Sequence, residues 1–433
     1  MLIEEIYQLY EQHPVVTTDS RDCPQGSIFF ALKGDNFNGN KFALQAIEKG
    51  CAYAIVDEAE YATDKRIILV EDCLQTLQQL AKYHRQQLNI PVISITGSNG
   101  KTTTKELIAS VLSQKYNTLH TLGNFNNHIG VPLTLLRLTA EHEMAIIEMG
   151  ANHQHEIGIL AEIACPDYGI ITNIGKAHLE GFGSFENIIK TKGELYDYIR
   201  KVNGKIFINV DNPTLEKISL GLEKIGYSFK IGQKDTLVNY RIITNSSPTI
   251  ELAWEKENIR KEYEIKSNLI GVYNAENIMA AVCIGTYFNI EPMIICQAIE
   301  SYIPKNNRSQ LKKTKRNTLI LDAYNANPTS MEAAIYNLLQ TNVDRKTVIL
   351  GDMRELGEDS HKEHQKIADI LKNFFFEHVF LIGENFSAVE TDFPTFLTVD
   401  EFLETRQASR INNAYILIKG SRGMKMERII EYL

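Results

Sequence analysis

The sequence predicts an α/β protein of three domains, the central one built on a parallel β-sheet with helices on both faces. At roughly 150 residues per domain, a chain of 433 residues has room for two to four domains. Near-continuous apolar strands alternate with helical segments, which is typical of a mostly parallel sheet. The pattern breaks near 89–91 and near 303–307, which predicts domains at 1–88, 89–303 and 304–433.

The composition indicates a globular protein with an acidic surface. Hydrophobic residues make up 44% of the chain and charged residues 23%, which excludes wholesale disorder. The 45 Lys and Arg against 54 Asp and Glu give a net charge of −9, which argues against nucleic acid or an anionic membrane as the main partner. A local basic pocket for a phosphorylated small molecule is compatible with this charge.

Cysteine usage and the N-terminal segment predict a cytoplasmic protein. The six cysteines form no C-x-x-C pair and no Cys/His cluster with zinc spacing, as expected in a reducing compartment. The N-terminal segment MLIEEIYQLYEQH is acidic and amphipathic, unlike a signal peptide. No apolar run approaches the ~18 residues of a membrane span.

Residues 1–88 predict a small domain of alternating strands and helices. Cys73–Gln87 carries leucines at helical spacing and predicts a helix. Pro91 disfavours helix in the residue before it, so 86–91 is the predicted linker. The predicted strands are Ser27–Lys33, Ala52–Val56 and Arg66–Val70.

Residues 89–303 predict the parallel sheet. Long helical segments separate its strands, as crossover connections require. In residues 236–270, apolar and polar residues instead alternate with the period of a β-strand, and turn residues lie at 245–248. This pattern predicts a small antiparallel addition to the sheet. The strands predicted in the parallel part are Pro91–Thr96, Met144–Met149, Tyr168–Asn173 and Lys205–Val210.

Residues 304–433 predict a third series of strands and helices. Helices are expected around 328–340, 361–374 and 422–432. The predicted strands are Thr318–Ala323, Thr347–Leu350, His378–Ile382 and Tyr415–Lys419.

The segment 97–103 has the composition of a phosphate-binding loop between a strand and a predicted helix, Lys105–Gln114. Its glycines let backbone N–H groups approach phosphate oxygens, and the helix N-terminus adds partial positive charge. Lys101 can reach the β- and γ-phosphates, and the Thr102 hydroxyl can bind Mg²⁺. The alternative is a glycine-rich turn that caps a helix. The loop is two residues shorter than G-x-x-x-x-G-K-[ST], so ordinary P-loop enzymes match poorly.

Two further strands end in residues that suit a metal site. Glu148 ends a predicted strand at the edge of the sheet where the phosphate loop also lies, and is a candidate second magnesium ligand. His178 follows the end of the next strand. It could be a metal ligand, a general base or a surface residue.

Further motifs accompany the loop along the chain. They are the segments 19–21, 26–40, 123–132, 148–150, 173–178, 190–194, 274–277, 322–328, 351–357 and 419–424. Together they resemble the Mur ligase family of ATP-dependent peptide-bond-forming enzymes over nearly the whole chain. The last three resemble in particular the member that adds D-alanyl-D-alanine. Two positions depart from the family pattern: Asn38-Gly39-Asn40 stands where Asp-Gly-His is usual, and His128 replaces an acidic residue.

The resemblance implies a P-loop ATPase-like central domain, an N-terminal UDP-substrate-binding domain and a C-terminal Rossmann-like domain. It also implies ATP and Mg²⁺, with Thr102 and Glu148 holding one Mg²⁺ and Glu148, His178 and Lys192 a second. In the family, the lysine at the position of Lys192 carries a carbamate. The resemblance therefore implies Lys101, His178 and Lys192 as catalytic residues, although the residue pattern alone favours a solvated helix lysine at 192.

The resemblance also assigns residues to ATP and to the two substrates. Helix capping is the alternative for Asn274 and Asn277, and a charged turn is the alternative for 419–422. The residues implied to bind ATP are Gly97, Ser98, Asn99, Gly100, Lys101, Thr102, Thr103, Asn274, Asn277, Arg308, Asp322, Tyr324 and Asn325. Those implied to bind substrates are Ser20 and Arg21 for the uridine nucleotide, Asn124, Asn126 and Asn127 for the muramoyl-peptide, and Asn327, Lys419, Ser421 and Arg422 in the third domain.

The function that the resemblance implies is the ATP-dependent joining of D-alanyl-D-alanine to a UDP-N-acetylmuramoyl-tripeptide through an acyl phosphate, by a monomer. Whether the tripeptide ends in meso-diaminopimelate or lysine stays open. One alternative is a folylpolyglutamate synthase-like ligase, which has no evident use for the first 88 residues or for the segment 324–328. The other is a nucleotide-dependent switch that hydrolyses ATP slowly.

Overall fold

Within the described residues, the chain folds into three β-sheets, each covered by helices, and one short hairpin. The computed structural model describes residues 2–231, 233, 235–244, 249–257, 259, 261–305 and 307–433. Across these residues, no helix is long and apolar enough to cross a membrane. The sheets lie at 16–69, 92–270 and 310–419, one in each predicted domain, and we retain the predicted domain boundaries as a proposal.

The first sheet is small. Its region contains strands β1 (Val16–Thr17), β2 (Ile28–Phe30), β3 (Lys33–Gly34), β4 (Phe37–Asn38), β5 (Tyr53–Val56) and β6 (Ile67–Leu69) and helices α1 (Ile3–Gln12), α2 (Ala43–Glu48) and α3 (Cys73–Gln87). The parallel order is β1-β2-β5-β6, and β3 pairs with β4 as the hairpin. The predicted helix Cys73–Gln87 is confirmed, and the Asp72 side chain caps it by accepting from the Gln75 N–H at 2.7 Å.

The second sheet carries the phosphate loop. Its strands are β7 (Val92–Thr96), β8 (Thr118–His120), β9 (Met144–Glu148), β10 (Tyr168–Ile171), β11 (Lys205–Asn209), β12 (Glu223–Ser228), β13 (Val238–Thr244), β14 (Thr249–Lys256) and β15 (Glu262–Ile270). Its helices are α4 (Lys101–Leu112), α5 (Gly130–Leu135), α6 (Glu156–Ala164), α7 (Leu179–Phe182), α8 (Phe185–Lys201), α9 (Pro213–Ile218), α10 (Asn274–Tyr287) and α11 (Pro292–Ser301).

The strand order of this sheet is β15-β14-β13-β12-β11-β10-β7-β9-β8. Pairing is parallel from β13 to β8, and β7 and β9 are buried along their whole length because helices cover both faces. The predicted antiparallel addition is confirmed as β13, β14 and β15. The turn predicted at 245–248 lies outside the described residues.

One helix start differs from the prediction. Helix α4 begins at Lys101 and not at Lys105, because Gly100 takes a left-handed conformation (φ 80°) and its carbonyl accepts the Thr104 N–H at 2.8 Å. The threonines that weaken the helical pattern in sequence therefore form the first helical turn. The phosphate loop passes directly into a helix N-terminus.

The third sheet is parallel apart from its first strand. Its strands are β16 (Gln310–Lys313), β17 (Thr318–Asp322), β18 (Lys346–Gly351), β19 (His378–Ile382), β20 (Thr395–Phe396) and β21 (Tyr415–Lys419), and its helices are α12 (Pro328–Gln340), α13 (Ser360–Lys372), α14 (Glu384–Ser387) and α15 (Val399–Glu404). The order is β16-β17-β21-β18-β19-β20. The predicted α-helix at 422–432 is wrong: two 3₁₀ segments, Arg422–Met424 and Met426–Tyr432, are separated by Lys425 at φ 53°, a left-handed conformation that interrupts a helix.

The first two regions share one hydrophobic core. A continuous cluster of buried residues runs from Ile6 in α1 through α3 to the helices on one face of the second sheet. Two polar contacts join the same surfaces: the Tyr10 hydroxyl donates to the Leu136 carbonyl at 2.5 Å, and His84 Nε2 lies 2.9 Å from the Leu138 carbonyl. These regions therefore pack as one unit.

The third region meets the second mainly through polar contacts near the phosphate loop. Asn327 Nδ2 donates to Asn99 Oδ1 at 2.8 Å, and Lys176 Nζ donates to Glu363 Oε1 at 2.7 Å. An apolar contact adds to them, because Ile270 at the end of β15 packs into a core cluster of the third region. These contacts dock the third region over the loop.

Candidate active site

A cavity of about 950 Å³ lies where the carboxyl ends of β7, β9 and β10 face the third region. Ligands of open parallel sheets commonly bind at this edge. Side chains from the second and third regions line most of the cavity, together with Leu74 and Gln78 of α3. The lining includes 25 residues between Ser98 and Asn277 and 12 between Arg308 and Arg422, so this site needs the third region to be complete.

Two glycines let the phosphate loop take its shape. Gly97 has φ 144°, and a Cβ there would lie 2.0 Å from Thr172 Oγ1. Gly100 has φ 80°, and a Cβ there would lie 2.4 Å from Asn277 Oδ1. Both positions therefore require glycine for conformation and for space.

The neighbouring strand end holds the loop in place. The Asn99 N–H donates to Asn173 Oδ1 at 3.0 Å, and Thr172 Oγ1 donates to the Asn99 carbonyl at 2.6 Å. Ser98 Oγ donates to the Gly175 carbonyl at 2.9 Å. The loop conformation is thus set before any nucleotide binds, which lowers the entropy lost on binding.

The Lys101 side chain folds back over the loop. Its Nζ donates to the Gly97 carbonyl at 2.6 Å and to the Ser98 carbonyl at 3.1 Å. Desolvation lowers the pKa of Lys101 to about 8, and the nearby Glu148 carboxylate opposes that shift. The ammonium lies at the cavity wall, where a phosphate oxygen can replace the carbonyls as its partner.

Glu148 lies at the base of the cavity and is 1% exposed. Its Oε1 accepts from Thr102 Oγ1 at 3.1 Å and from Asn126 Nδ2 at 2.8 Å. Its Oε2 is buried and accepts no hydrogen bond within the described part of the chain. The nearest cation is Lys105 Nζ, at 3.9 Å. An unpaired buried carboxylate oxygen beside a threonine hydroxyl is a donor set that suits Mg²⁺.

Lys105 is a buried lysine that the sequence analysis did not assign to the site. Its Nζ donates to the Thr121 carbonyl at 2.6 Å and pairs with Glu106 at 2.8 Å. Thr121 Oγ1 in turn accepts the Glu148 N–H at 2.9 Å. The only sequence feature that marks Lys105 is its position in the first turns of the helix after the loop. A lysine at such a position is usually solvated, so the sequence does not predict its burial.

His178 contacts the third region. Its Nδ1 lies 2.5 Å from Glu355 Oε2, and its side chain is 20% exposed. The contact with His178 lowers the pKa of Glu355. Both residues have left-handed backbones, with φ 53° and 64°, which fixes the two loops that bring them together. The surface alternative for His178 is wrong, because it lines the cavity.

Lys192 is buried in α8 and is 1% exposed, so the expectation of a solvated helix lysine is wrong. Its Nζ has no hydrogen-bond partner among the described residues and lies 5.3 Å from the centre of the Phe182 ring. Burial and, to a smaller extent, the nearby Lys101 lower the pKa of Lys192 to about 7. About half of the amine is therefore neutral at pH 7.

Asn274 and Asn277 face the loop from α10. Asn274 Nδ2 donates to the Ile270 carbonyl at 2.6 Å, and its Oδ1 accepts from Asn277 Nδ2 at 2.7 Å. Asn277 Oδ1 accepts from Thr104 Oγ1 at 3.0 Å. The capping alternative is wrong, since the helix is preceded by Tyr273 and has no side-chain cap.

Arginine and tyrosine side chains form the wall contributed by the third region. The Arg308 guanidinium lies 3.6 Å from the centre of the Tyr324 ring, and the Arg422 guanidinium lies 5.2 Å from it. Arg422 Nη1 also donates to the Tyr324 hydroxyl at 3.2 Å. Arg422 remains exposed, so its charge is available to an anion in the cavity.

Lys419 lines the cavity and is paired with Asp322. Its Nζ donates to Asp322 Oδ2 at 2.5 Å and to the Asn325 carbonyl at 3.2 Å, and the residue is 1% exposed. The Ser309 N–H donates to Asp322 Oδ1 at 3.2 Å. Lys419 therefore fixes the carboxyl ends of β17 and β21.

Other predicted residues in the third region hold backbone in place. Asn327 caps α12 by accepting the Ser330 N–H at 2.9 Å while it contacts the phosphate loop. Asn325 Oδ1 accepts the Ala326 N–H at 2.9 Å. Ser421 is buried, and its Oγ accepts the Arg354 N–H at 2.9 Å, outside the cavity lining.

The predicted substrate residues of the first two regions fall into two groups. Asn124, Asn126 and Asn127 line the cavity, as does His128. Ser20 and Arg21 do not, and Arg21 pairs with Asp19 at 2.7 Å with its side chain 88% exposed. A ligand that touches both groups has to be long.

The structure also explains a departure in the first region. Asn40 is buried, and its Nδ2 donates to Asp57 Oδ1 at 2.8 Å while its Oδ1 accepts the Asp57 N–H at 3.0 Å. Asn40 Nδ2 also donates to Asn38 Oδ1 at 3.0 Å. The asparagines thus tie the hairpin to the end of β5.

No group of three or more His, Cys, Asp or Glu side chains able to hold a metal ion is present in the described ranges. Glu148 and the Thr102 hydroxyl are candidate metal donors that lie side by side in the cavity. The sequence also does not identify Glu355 as a site residue. Its partner His178 lies far away in sequence, and no local pattern pairs them.

A phosphate loop at the edge of a parallel sheet, with a third region docked over it, suits an enzyme that acts on a nucleoside triphosphate. Three family models match successive parts of the chain: "Mur ligase family, catalytic domain" at 14–85, "Mur ligase middle domain" at 95–285 and "Mur ligase, glutamate ligase domain" at 307–422. The chain belongs to the Mur ligase family.

Individual relatives point to one member of that family. The UDP-N-acetylmuramoyl-tripeptide–D-alanyl-D-alanine ligase of Bacillus subtilis is 35% identical over 98% of this chain and 94% of its own length. The enzyme of the same name from Escherichia coli is 33% identical over 96% of this chain and 93% of its own length.

Solved structures agree with this placement. MurF from Acinetobacter baumannii superposes with a TM-score of 0.84 at 31% identity, covering 96% of this chain and 92% of its own. MurF ligase from Thermotoga maritima in complex with ADP gives 0.85 at 26% identity, covering 96% of each chain. A folylpolyglutamate synthase from Thermotoga maritima shares the fold, with a TM-score of 0.58 at 14% identity over 83% of this chain and 92% of its own.

Proposed function

We propose that this chain is an ATP-dependent, ADP-forming ligase that joins D-alanyl-D-alanine to UDP-N-acetylmuramoyl-tripeptide in peptidoglycan precursor biosynthesis. The observation that carries the proposal is the cavity where the phosphate loop, Glu148 and the Tyr324 wall meet. Relatives named for this reaction match the chain almost end to end. We further propose that it works in the cytoplasm as a monomer.

ATP would bind with its phosphates on the loop 97–103. Backbone N–H groups at the start of α4 and the Lys101 ammonium supply positive charge there. Asn274 and Asn277 of α10, together with Arg308 of the third region, would contact the rest of the nucleotide. The preset loop conformation supports this assignment.

The residues present fit Mg²⁺ at the base of the cavity. Glu148 has a buried oxygen without a hydrogen-bond partner in the described structure, and Thr102 donates to its other oxygen. Lys192 has a buried amine that lacks a partner there too, which suits a carbamate in place of an ammonium. Glu148, Thr102, His178 and carbamylated Lys192 would hold Mg²⁺, which when bound supplies charge that stabilises the transferring phosphoryl group.

The difficult step is the approach of two anions. A carboxylate oxygen of the tripeptide attacks the γ-phosphorus of ATP, the bond to ADP breaks, and an acyl phosphate forms. Lys101 reduces the repulsion and stabilises charge that develops on the phosphoryl oxygens. Asn126 fixes the orientation of the Glu148 carboxylate during this step.

The second step forms the amide. The neutral amine of D-alanyl-D-alanine attacks the acyl carbon, phosphate leaves with the electron pair of the broken C–O bond, and the proton that the nitrogen loses passes to the released phosphate. Arg422 is exposed at the cavity wall and would pair with the carboxylate of the dipeptide. Lys419 would act through Asp322, since that pair is already formed.

Release of ADP and phosphate tests the proposal. We expect turnover only when ATP, UDP-muramoyl-tripeptide and D-alanyl-D-alanine are all present, and a mass increase equal to one dipeptide minus one water in the nucleotide product. Tripeptides ending in meso-diaminopimelate or in lysine are compared in parallel. Dipeptide-independent ATP hydrolysis, or turnover with a folate and glutamate, would contradict the proposal.

A further inference from the structure

One ion pair joins the second region to the third beside the cavity. Lys176, in the loop after β10, donates from Nζ to Glu363 Oε1 of α13 at 2.7 Å. The two side chains differ sharply in exposure, 47% for Lys176 and 3% for Glu363. The anion is therefore the buried partner, and the cation reaches it from the edge of the interface.

Glu363 lies in the first turn of α13, so the helix N-terminus and the more distant Lys366 compensate part of its charge. Its Oε2 is buried and has no hydrogen-bond partner within the described ranges. Lys366, one turn away, is already paired with Glu332 at 2.6 Å. His364 uses its ring nitrogens on the Met353 N–H and the Ser360 carbonyl. A carboxylate in such a position is unfavourable unless a countercharge accompanies it.

The loop that carries Lys176 also supports the reaction site. Asn173 at its start holds Asn99 of the phosphate loop, and Gly175 accepts from Ser98. Gly175 also faces the third region, where a Cβ would lie 3.1 Å from Thr329 Oγ1. This segment therefore contacts both the phosphate loop and the third region.

We propose that Lys176 and Glu363 are a positioning pair that stabilises the docking of the third region over the phosphate loop. Docking removes Glu363 from water, and Lys176 supplies the charge that makes this burial favourable. When the third region is undocked, Glu363 is solvated and needs no partner. The pair therefore favours the docked arrangement, in which Arg422 and Tyr324 complete the site.

A double-mutant cycle separates this role from a simple loss of contact. Lys176→Met leaves Glu363 without its countercharge in the docked state, so docking becomes unfavourable. Glu363→Gln leaves a neutral buried amide and a lysine that is half exposed. The double variant removes both charges and should recover most of what Lys176→Met alone loses.

The experiment uses the full chain and two measurements. The kinetic arm, which rests on the proposed function, gives KM for D-alanyl-D-alanine. The structural arm is the radius of gyration from small-angle scattering with a non-hydrolysable ATP analogue and Mg²⁺. Lys176→Met should raise KM about tenfold and enlarge the radius, whereas Glu363→Gln and the double variant should stay within about threefold of wild type.

Lys205→Met is the matched control. Lys205 pairs with Glu223 at the same 2.7 Å, is also partly exposed, and has its partner within its own sheet. It should change neither KM nor the radius. Circular dichroism and the melting temperature confirm that each variant folds.

Three results would overturn the inference: a Lys176→Met variant no worse than Glu363→Gln, effects that add in the double variant, or an equal effect of Lys205→Met. Absence of ligase activity in the wild type would refute the proposed function instead. The scattering comparison would still test the pair, since it needs only the nucleotide analogue.

Discussion

At the scale of single residues, the Lys101 ammonium is the group most directly aimed at a phosphoryl group. Charge shifts toward phosphoryl oxygens during transfer, so this residue should stabilise the transition state more than bound ATP. Lys101→Ala should lower kcat about 100- to 1,000-fold, with a smaller change in KM for ATP. Lys115→Ala is the control, because Lys115 lies in the turn after α4 and its Nζ donates to the Phe288 carbonyl, away from the loop. Near-wild-type turnover of the Lys101 variant would contradict the assignment of this loop to phosphoryl transfer.

Lys192 offers a test that depends on pH. Carbamylation by CO₂ needs the neutral amine, and with a pKa of about 7 the neutral fraction of Lys192 rises as the pH increases through 7. A carbamate signal in ¹³C NMR with labelled bicarbonate should therefore grow between pH 6 and pH 8. Lys192→Ala should remove the signal and most activity, whereas Lys190→Ala, exposed on the same helix, should keep both. A wild-type spectrum without the signal at pH 8 would refute the modification.

Arg422 is the exposed cation left for the incoming dipeptide once Lys419 is paired with Asp322. Arg422→Ala should raise KM for D-alanyl-D-alanine at least tenfold and change KM for ATP little, because charge-assisted hydrogen bonds to a carboxylate are strong. Lys425→Ala, exposed in the same turn, controls for lost positive charge. If the KM for ATP rises instead, Arg422 is part of the nucleotide site.

Residue-level prediction succeeded where chemistry is local and failed where it is not. The phosphate loop places its glycines, lysine and threonine in one short segment, so its position at a strand end could be predicted. The burial of Lys192 could not be predicted. Helix α8 buries its whole inner face, and local spacing does not show which polar residue lies on that face. The contact between His178 and Glu355 depends on docking of the third region.

At the scale of elements, α3 joins the first region to the second through a buried histidine. His84 lies with Nδ1 3.2 Å from the Tyr7 hydroxyl and Nε2 2.9 Å from the Leu138 carbonyl. Burial lowers the pKa of His84 below its value in the unfolded chain. The unfolded chain therefore binds more protons just below pH 6.5, and the free energy of unfolding falls as the pH falls there.

His84→Gln should flatten this dependence, although loss of the ring also lowers stability at every pH. The measurement is the urea unfolding free energy at several pH values from 7.5 to 5. His153→Gln, on an exposed turn, controls for removal of an imidazole. A slope unchanged by His84→Gln would show that other groups govern the acid response.

The predicted starts of α3 and α12 are confirmed. In the structure the side chains of Asp72 and Asn327 cap these two helices. The start of α4 and the 3₁₀ segments at 422–432 were not predictable in this way. The left-handed Gly100 and Lys425 decide them, and tertiary contacts select that conformation.

At the scale of the whole molecule, the shared core predicts that the first two regions unfold together. Leu80 of α3 is fully buried in that core. Leu80→Ala should lower the stability of one calorimetric transition that contains both regions, by about 2–5 kcal/mol. The third region, with cores of its own, should melt separately and keep its midpoint. A transition of the first region alone would contradict the shared core.

That shared core has a consequence for substrate length. Ser20 and Arg21 lie on the first region and Lys101 at the phosphate loop, and the rigid packing between the two regions holds these points at a constant separation. We propose that a substrate bound at its nucleotide end by Ser20 and Arg21 has to span this interval before its free carboxylate can meet the γ-phosphate. A shorter peptide stem would then stop short of the loop, and a longer one would extend past it. On this proposal the enzyme selects its substrate by peptide length.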